Sequence, residues 1–344
     1  ETGIVSVVTK PAGETRGLYA HAAAGTEDRA IGAARYGAAL GDFGHVRAYA
    51  SGFDRESQFA TAGSAYDEWR LAQGGFRMDG LLGEAHELTV QGDAYVARLG
   101  EFVRLTRFED PYLEIDTREN PLSGGNLLAR LSGPAGPLPA VRLQAYYDVT
   151  DREEYPVSEH RETFDVDVQA HHTAGDHDVV WGVGWRNTTS NISTAAISTL
   201  PDGTENLYSA FLQDEISLAA GAVRLTLGAK LEHNPYSGLE VLPSGRAAWR
   251  VDADRTVWGA VTRAVRRPSR VERTYGTMSV LDPSGPAFIR LSPNPDFRPE
   301  ELVAYELGFR ARVGADLYVT VAGFYDDWSD LLSTELTEPA FVED

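Results

Sequence analysis

Val223-Arg-Leu-Thr-Leu-Gly-Ala-Lys-Leu-Glu232 is the stretch that decides the fold. Val223, Leu225, Leu227, Ala229 and Leu231 share one parity; Arg224, Thr226, Gly228, Lys230 and Glu232 share the other. Successive side chains of a β-strand point to opposite faces, so one face of this strand is wholly apolar and the other carries charge. Phe164, Val166, Val168 and Ala170 oppose Asp165, Asp167, Gln169 and His171 in the same way. So do Tyr305, Leu307, Phe309, Ala311 and Val313 against Glu306, Gly308, Arg310 and Arg312. Val179, Trp181, Val183 and Trp185 line one face of a further strand. Between Gly17 and Trp328 the pattern recurs about fifteen times, in runs of roughly ten residues, the length that crosses a bilayer as a tilted strand.

A soluble β-sandwich also alternates. Three features set this chain apart. The runs are long against an average soluble strand of roughly 5–6 residues. Charge is frequent on the polar parity, as in a wet lumen. Aromatic residues gather near strand ends: Tyr146 and Tyr147, Tyr208 and Phe211, Trp249, Trp258, then Phe324, Tyr325 and Trp328. Girdles at the two membrane interfaces would put them there. The expected fold is all-β, an antiparallel transmembrane β-barrel.

The connections carry a second rhythm. Short ones fall near Leu40–Gly44, Asp79–Glu84, Gly133–Pro139, Ala174–His177, Ala219–Ala222, Asp252–Arg255 and Gly314–Asp316. Long ones fall near Glu56–Glu68, Gly100–Gly124, Arg152–His160, Asn191–Asn206, Asn234–Leu242 and Arg266–Pro299. The two kinds interleave, apart from a brief Gly25–Arg29 on the long side. Outer-membrane barrels keep short turns in the periplasm and long loops outside, so the first strand, Arg16 to Gly25, rises from the periplasm.

Composition narrows the function. The chain of 344 residues has a formal charge of −20 and no cysteine, so it has no disulfide framework and no thiol metal site. Mean hydropathy is −0.29, and no run of eighteen apolar residues signals a membrane helix. A barrel strand exposes apolar groups on one face only, so averaged hydropathy does not reveal it. The acidic balance speaks against a nucleic-acid partner, which needs a basic footprint. The chain shows no leader and does not begin with Met, and fifteen strands is odd where single-chain bacterial barrels are even. The expectation is a fragment cut at both ends, with Ser329–Asp344 opening a truncated outer loop.

Asn294-Pro-Asp-Phe-Arg-Pro-Glu-Glu-Leu-Val-Ala-Tyr-Glu-Leu-Gly308 resembles a loop-to-strand signature of the TonB-dependent outer-membrane receptors. Thr262-Arg-Ala-Val-Arg-Arg-Pro-Ser269 is similar to that family's strand end before a long outer loop. Gln213-Asp-Glu-Ile216 looks like its strand motif, followed by a strand ending in Glu232-His-Asn234. Gly25-Thr-Glu-Asp-Arg29 with Arg35-Tyr-Gly37 resembles its first hairpin. Gly3-Ile-Val-Ser-Val-Val-Thr-Lys10 resembles the last strand of its plug, with Ser6 where the family usually has Asn. The resemblance implies residues 1–10 as the end of a plug domain and 11–344 as a partial barrel, about fifteen of twenty-two strands. The rest of the plug and the TonB box would lie upstream. It further implies an outer-membrane receptor that captures a ferric siderophore or cobalamin-like solute, couples to TonB, performs no bond chemistry and uses no cofactor. The rivals are a passive porin and a smaller barrel enzyme, such as a protease or phospholipase.

Candidate site residues follow from position. Arg263, Arg266, Arg267 and Arg270 cluster at an outer rim, where they suit an anionic ferric chelate or, equally, lipopolysaccharide or nearby acids. The longest loop carries Tyr275, Met278, Phe288 and Phe297, aromatic or apolar surface for a bulky ligand or for neighbouring loops. Arg266, Arg267, Arg270, Tyr275 and Phe288 are the ligand-binding candidates. His171, His172 and His177 flank a periplasmic turn, and Asp326, Asp327 and Asp330 form an outer acidic patch; both read as solvated groups before metal ligands. Asn187-Thr-Thr189 and Asn191-Ile-Ser193 match a glycosylation pattern but read as polar loop residues. No Ser sits in a Gly-x-Ser-x-Gly elbow. A fragment with open strand edges is not expected to insert alone as a heat-resistant monomer in detergent, because lipid leaves unpaired edge amides unsatisfied. Gel mobility before and after boiling checks this.

Overall fold

The computed structural model describes residues 8–333 apart from 62, 64, 283, 286 and 315. Of the expected plug tail, residues 1–7 lie outside the described residues, as do 334–344 of the expected outer loop. A short 3-10 turn, Ala12–Thr15, precedes the first strand. Eight strands follow: β1 (Gly17–Ala23), β2 (Asp28–Ala39), β3 (Gly44–Arg55), β4 (Trp69–Leu82), β5 (His86–Thr106), β6 (Leu113–Ala135), β7 (Leu138–Arg152) and β8 (Val157–Ala174). Next come β9 (His177–Thr194), β10 (Ser198–Thr199), β11 (Gly203–Leu218), β12 (Val223–Asn234), β13 (Gly238–Arg250) and β14 (Arg255–Arg266). A one-turn helix α1 (Arg270–Thr274), β15 (Gly276–Asp282), β16 (Ala287–Leu291), β17 (Glu300–Val313) and β18 (Leu317–Ser329) complete the chain. Among the described residues, fifteen strands form one sheet in chain order, β1 to β9, then β11 to β14, β17 and β18. The other three, β10, β15 and β16, make a small sheet of their own.

The chain forms two compact units, Glu1–His172 with Val180–Ala210 and Arg270–Pro295, and Thr173–Val179 with Phe211–Ser269 and Asp296–Asp344. Within the first, registers run antiparallel without a slip from β3 through β5, pairing Tyr49 with Gly75 and Gly75 with Asp93. Tyr49, Gln73, Asp93 and Asn126 therefore share the polar face. Gln73 Nε2 donates to Tyr49 Oη at 3.0 Å, and Asn126 Nδ2 donates to Asp93 Oδ1 at 3.2 Å. Gly75 makes room for this ladder, since a Cβ there would lie 2.8 Å from the Tyr49 ring and 2.7 Å from Asp93 Cβ. On the opposite face Phe164 meets Trp185, ring centroids 5.8 Å apart.

In the second unit β12 pairs with β13 from Val223–Trp249 to Asn234–Gly238. Leu227 and Leu231 on the apolar face are 48% and 43% exposed. A soluble domain would bury them against a second layer; a wall one sheet thick turns them to lipid.

The turns explain the rhythm of lengths. β6–β7 and β8–β9 are joined by two residues each, Gly136-Pro137 and Gly175-Asp176, with φ of +58° and +63° at the glycines. Only glycine takes that left-handed backbone freely. Several long connections shrink. Gly100–Gly124, read as loop, is mostly strand, because β5 reaches Thr106 and β6 begins at Leu113. Polar alternation continues there, and main-chain pairing needs no apolar face once the strands leave the bilayer.

Strand-end aromatics divide between faces. Trp249 pairs with Val223 on the apolar side. Tyr146 and Trp258 sit on the polar parity instead, opposite Asp165 and Gly308. Position near a strand end fixes height in the membrane, whereas parity fixes the face, so neither belongs to a lipid girdle. Trp258 lies over Gly308, where a Cβ would approach its indole to within van der Waals overlap. Gly308→Val is expected to destabilise the fold by about 1–3 kcal/mol. Combining it with Trp258→Ala should cost less than the sum, measured by urea unfolding of the full receptor in detergent.

Candidate functional site

The outer ends of β14 and β17 are tied by ion pairs. Arg266, the last residue of β14, grips Glu300, the first of β17, with Nε to Oε2 at 2.6 Å and Nη2 to Oε1 at 2.9 Å. The guanidinium fork matches the carboxylate geometry. Leu332 N donates to Glu300 Oε1 at 2.8 Å. Arg263 Nη2 lies 2.7 Å from Glu301 Oε1 and 3.5 Å from Glu240 Oε2. Arg267 stands looser, with Nη1 3.8 Å from Glu232 Oε1. Glu300 precedes the apolar run that starts near Tyr305, outside the membrane span. The Arg266 fork, helped by the Leu332 amide, lowers its carboxyl to about 2.

Arg270, Tyr275 and Phe288 belong to the other compact unit. Arg270 opens α1, and its Nη2 lies 3.1 Å from Glu159 Oε1 with the side chain only 10% exposed. Arg161 Nη2 reaches the same oxygen at 2.8 Å. Tyr275 closes α1, its N–H donating to Val271 O at 2.9 Å. Phe288 in β16 packs 5.6 Å from Phe108 and 6.3 Å from Tyr112, centroid to centroid. Phe108 and Tyr112 come from the β5–β6 loop and were not singled out in the sequence. Two aromatics in an otherwise polar connection were their only signal. The sequence alone gave no means of pairing that loop with residues so distant along the chain.

The histidine and aspartate groups do not assemble a metal centre: among the described residues no three His, Cys, Asp or Glu side chains converge. His177 Nδ1 lies 2.6 Å from Asp214 Oδ2. Asp326 and Asp327 pair with Ala304 and Val303, adjacent positions whose side chains point to opposite faces of β18. Asn187 Nδ2 donates to Asn206 Oδ1 at 3.0 Å, a contact between neighbouring strands.

Residues 17–342 match the family model described as TonB dependent receptor-like, beta-barrel. The chain belongs to this family. That family is one of outer-membrane receptor barrels and not of enzymes. A relative in Vibrio cholerae, the iron-regulated outer membrane virulence protein, is 28% identical over 169 residues, which is 49% of this chain and 25% of that protein. The siderophore receptor PirA of Acinetobacter baumannii shares the fold with a TM-score of 0.70 at 14% identity, covering 94% of this chain and 54% of that one. PirA of Pseudomonas aeruginosa gives 0.65 at 18% identity, with 93% and 57% covered. The haemophore receptor HasR of Serratia marcescens gives 0.67 at 13%, with 92% and 56% covered. The chain thus spans a quarter of the curated relative and just over half of the solved receptors.

The β14–β17 tie sets a pH expectation. A carboxylate whose folded pKa is depressed stabilises the fold above its ordinary value near 4.5, and that contribution fades as pH falls toward 2. The Glu300 carboxyl carbon shift should titrate with a midpoint near 2 in the native receptor. In Arg266→Ala the midpoint should move up toward 4.5.

Proposed function

We propose that this chain is the barrel part of a receptor that takes up a ferric siderophore across the outer membrane, with energy supplied through TonB. The observation that carries the reading is the iron-regulated outer-membrane relative, which aligns with half of this chain. The folds of siderophore and haemophore receptors agree with it. In this reading residues 1–10 end a plug domain, and 11–344 build the wall around it.

The barrel supplies scaffold and selectivity. Ferric chelates are commonly anionic, and arginines on an outer rim raise their local concentration and then bind oxygen atoms by charge-assisted hydrogen bonds. Arg266, Arg267, Arg270, Tyr275 and Phe288 are the candidates for ligand recognition, whether by touching the ligand or by holding the loops that do. Arg267 is the readiest of them, since its carboxylate partner stands 3.8 Å away and 40% of its side chain is exposed. Arg266 and Arg270 already hold carboxylates, so their part is to fix the loop frame that the ligand meets. Phe288, with Phe108 and Tyr112, offers an aromatic surface. A passive porin-type channel has no specific observation in its favour.

Deleting the full gene is expected to abolish growth on the cognate ferric siderophore under iron limitation. Arg267→Glu is expected to weaken chelate binding to the complete receptor by roughly tenfold or more through like-charge repulsion, read by fluorescence quenching. Saturable uptake that ignores the proton-motive force would sink TonB coupling. Non-saturable flux of many solutes would favour the porin.

A further inference from the structure

Residues Thr9–Thr15 do not hang free below the first strand. They are held on the polar face of β3 and β4 at the end bearing the short turns. His45 pairs with Asp79 and Arg47 with Arg77 there, which places all four side chains on one face. Arg77 Nη1 donates to Thr9 Oγ1 at 3.0 Å and to Thr9 O at 3.3 Å. Arg47 Nη1 donates to Lys10 O at 2.9 Å and to Thr15 Oγ1 at 3.3 Å. Ala12 N donates to Asp79 Oδ2 at 2.7 Å.

Asp79 is itself fixed from two sides. Arg77 Nε reaches its Oδ2 at 2.8 Å and Thr89 Oγ1 donates to its Oδ1 at 2.8 Å. Ala12 is fully buried and Thr15 is 5% exposed. The wall thus bonds Thr9 O, Thr9 Oγ1, Lys10 O, Ala12 N and Thr15 Oγ1, polar atoms spread along the seven-residue segment, at the point where the chain passes into β1.

We propose that Arg47, Arg77 and Asp79 form an anchor that pins Thr9–Thr15 to the wall and limits plug rearrangement during transport to the part of the receptor upstream of Thr9. This rests on the proposed uptake function. Force arriving from upstream would load hydrogen bonds to two guanidinium groups and a carboxylate before it reached β1. Charge-assisted bonds are the stronger kind, and several loaded together resist better than one. The anchor gives the moving part a fixed end, so its displacement opens a path without peeling β1 from β2.

The experiment uses the complete receptor in detergent and in cells, with Asp79→Ala, Asp79→Asn and the double variant Arg47→Ala/Arg77→Ala. Amide exchange at Ala12 is expected to rise roughly tenfold or more in Asp79→Ala, with a smaller rise in Asp79→Asn, which keeps one acceptor oxygen. The double variant should likewise speed exchange across residues 9–15. Ferric-siderophore binding should stay within about twofold of wild type while uptake falls, because the loops are untouched. Unchanged exchange at Ala12 in both Asp79→Ala and the double variant would overturn the anchor. Faster exchange with unimpaired uptake would overturn its role in transport. A wild-type receptor that neither binds nor imports siderophore would instead remove the functional reading, with the exchange measurement still deciding whether the anchor exists.

Discussion

One constraint governs this molecule: no backbone N–H or C=O can face hydrocarbon unpaired. A strand satisfies that rule only through its neighbours, so among the described residues the fifteen strands of the main sheet pair in chain order, passing over only β10, β15 and β16. The same rule explains why apolar side chains lie outward and exposed instead of in a core. Among the described residues the buried apolar set is small, with Ala97, Val103, Leu105, Ala170 and Ala260 its members within strands. Burial here is by lipid, and the polar face provides the specificity of packing that a core would otherwise give. Tyr49, Gln73, Asp93 and Asn126 show how, since each spends its side chain on a neighbouring strand.

Beyond the bilayer the constraint relaxes and charge takes over. Water can satisfy loop backbone, so loop geometry has to be fixed by side chains. Arg266 with Glu300, Arg263 with Glu301 and Arg270 with Glu159 perform that task. An acidic chain has carboxylates to spare for such ties, which accounts for an outer rim that looks basic in sequence yet is largely neutralised pair by pair. Not every tie is equally tight: Arg267 Nη1 stands 3.8 Å from Glu232 Oε1, the loosest of these contacts.

The wall was legible in the sequence because its rule is local. Parity along Val223–Glu232 gives the face of every side chain, and the observed register from Val223–Trp249 to Asn234–Gly238 obeys it. The connections Ala219–Ala222 and Gly314–Asp316 were legible for a similar reason, since turn residues interrupt alternation abruptly. Strand ends such as Thr106 and Leu113 were not, because outside the membrane polar residues pair without any apolar signal. The contact of Phe288 with Phe108 and Tyr112 was out of reach too. It joins loops far apart in the chain, and no periodicity links them. Individual ion pairs were equally hidden: the rim arginines could be seen, but not which acid each would choose.

Receptors that share 13% to 18% identity with this chain still superpose on it with TM-scores of 0.65 to 0.70. Such agreement is what a backbone-pairing rule produces. Any sequence with apolar and polar residues at the right parity, and glycine at the tight turns, meets it. The wall therefore tolerates wide substitution, whereas the loops answer to no shared pairing rule and are held by a few named side chains. Changing one loop carboxylate or one loop aromatic leaves the ladder hydrogen bonds of the strands in place. The fold is thus set by alternation along each strand, while loop contacts such as Arg267–Glu232 in one unit and Phe288–Phe108 in the other can change without disturbing it.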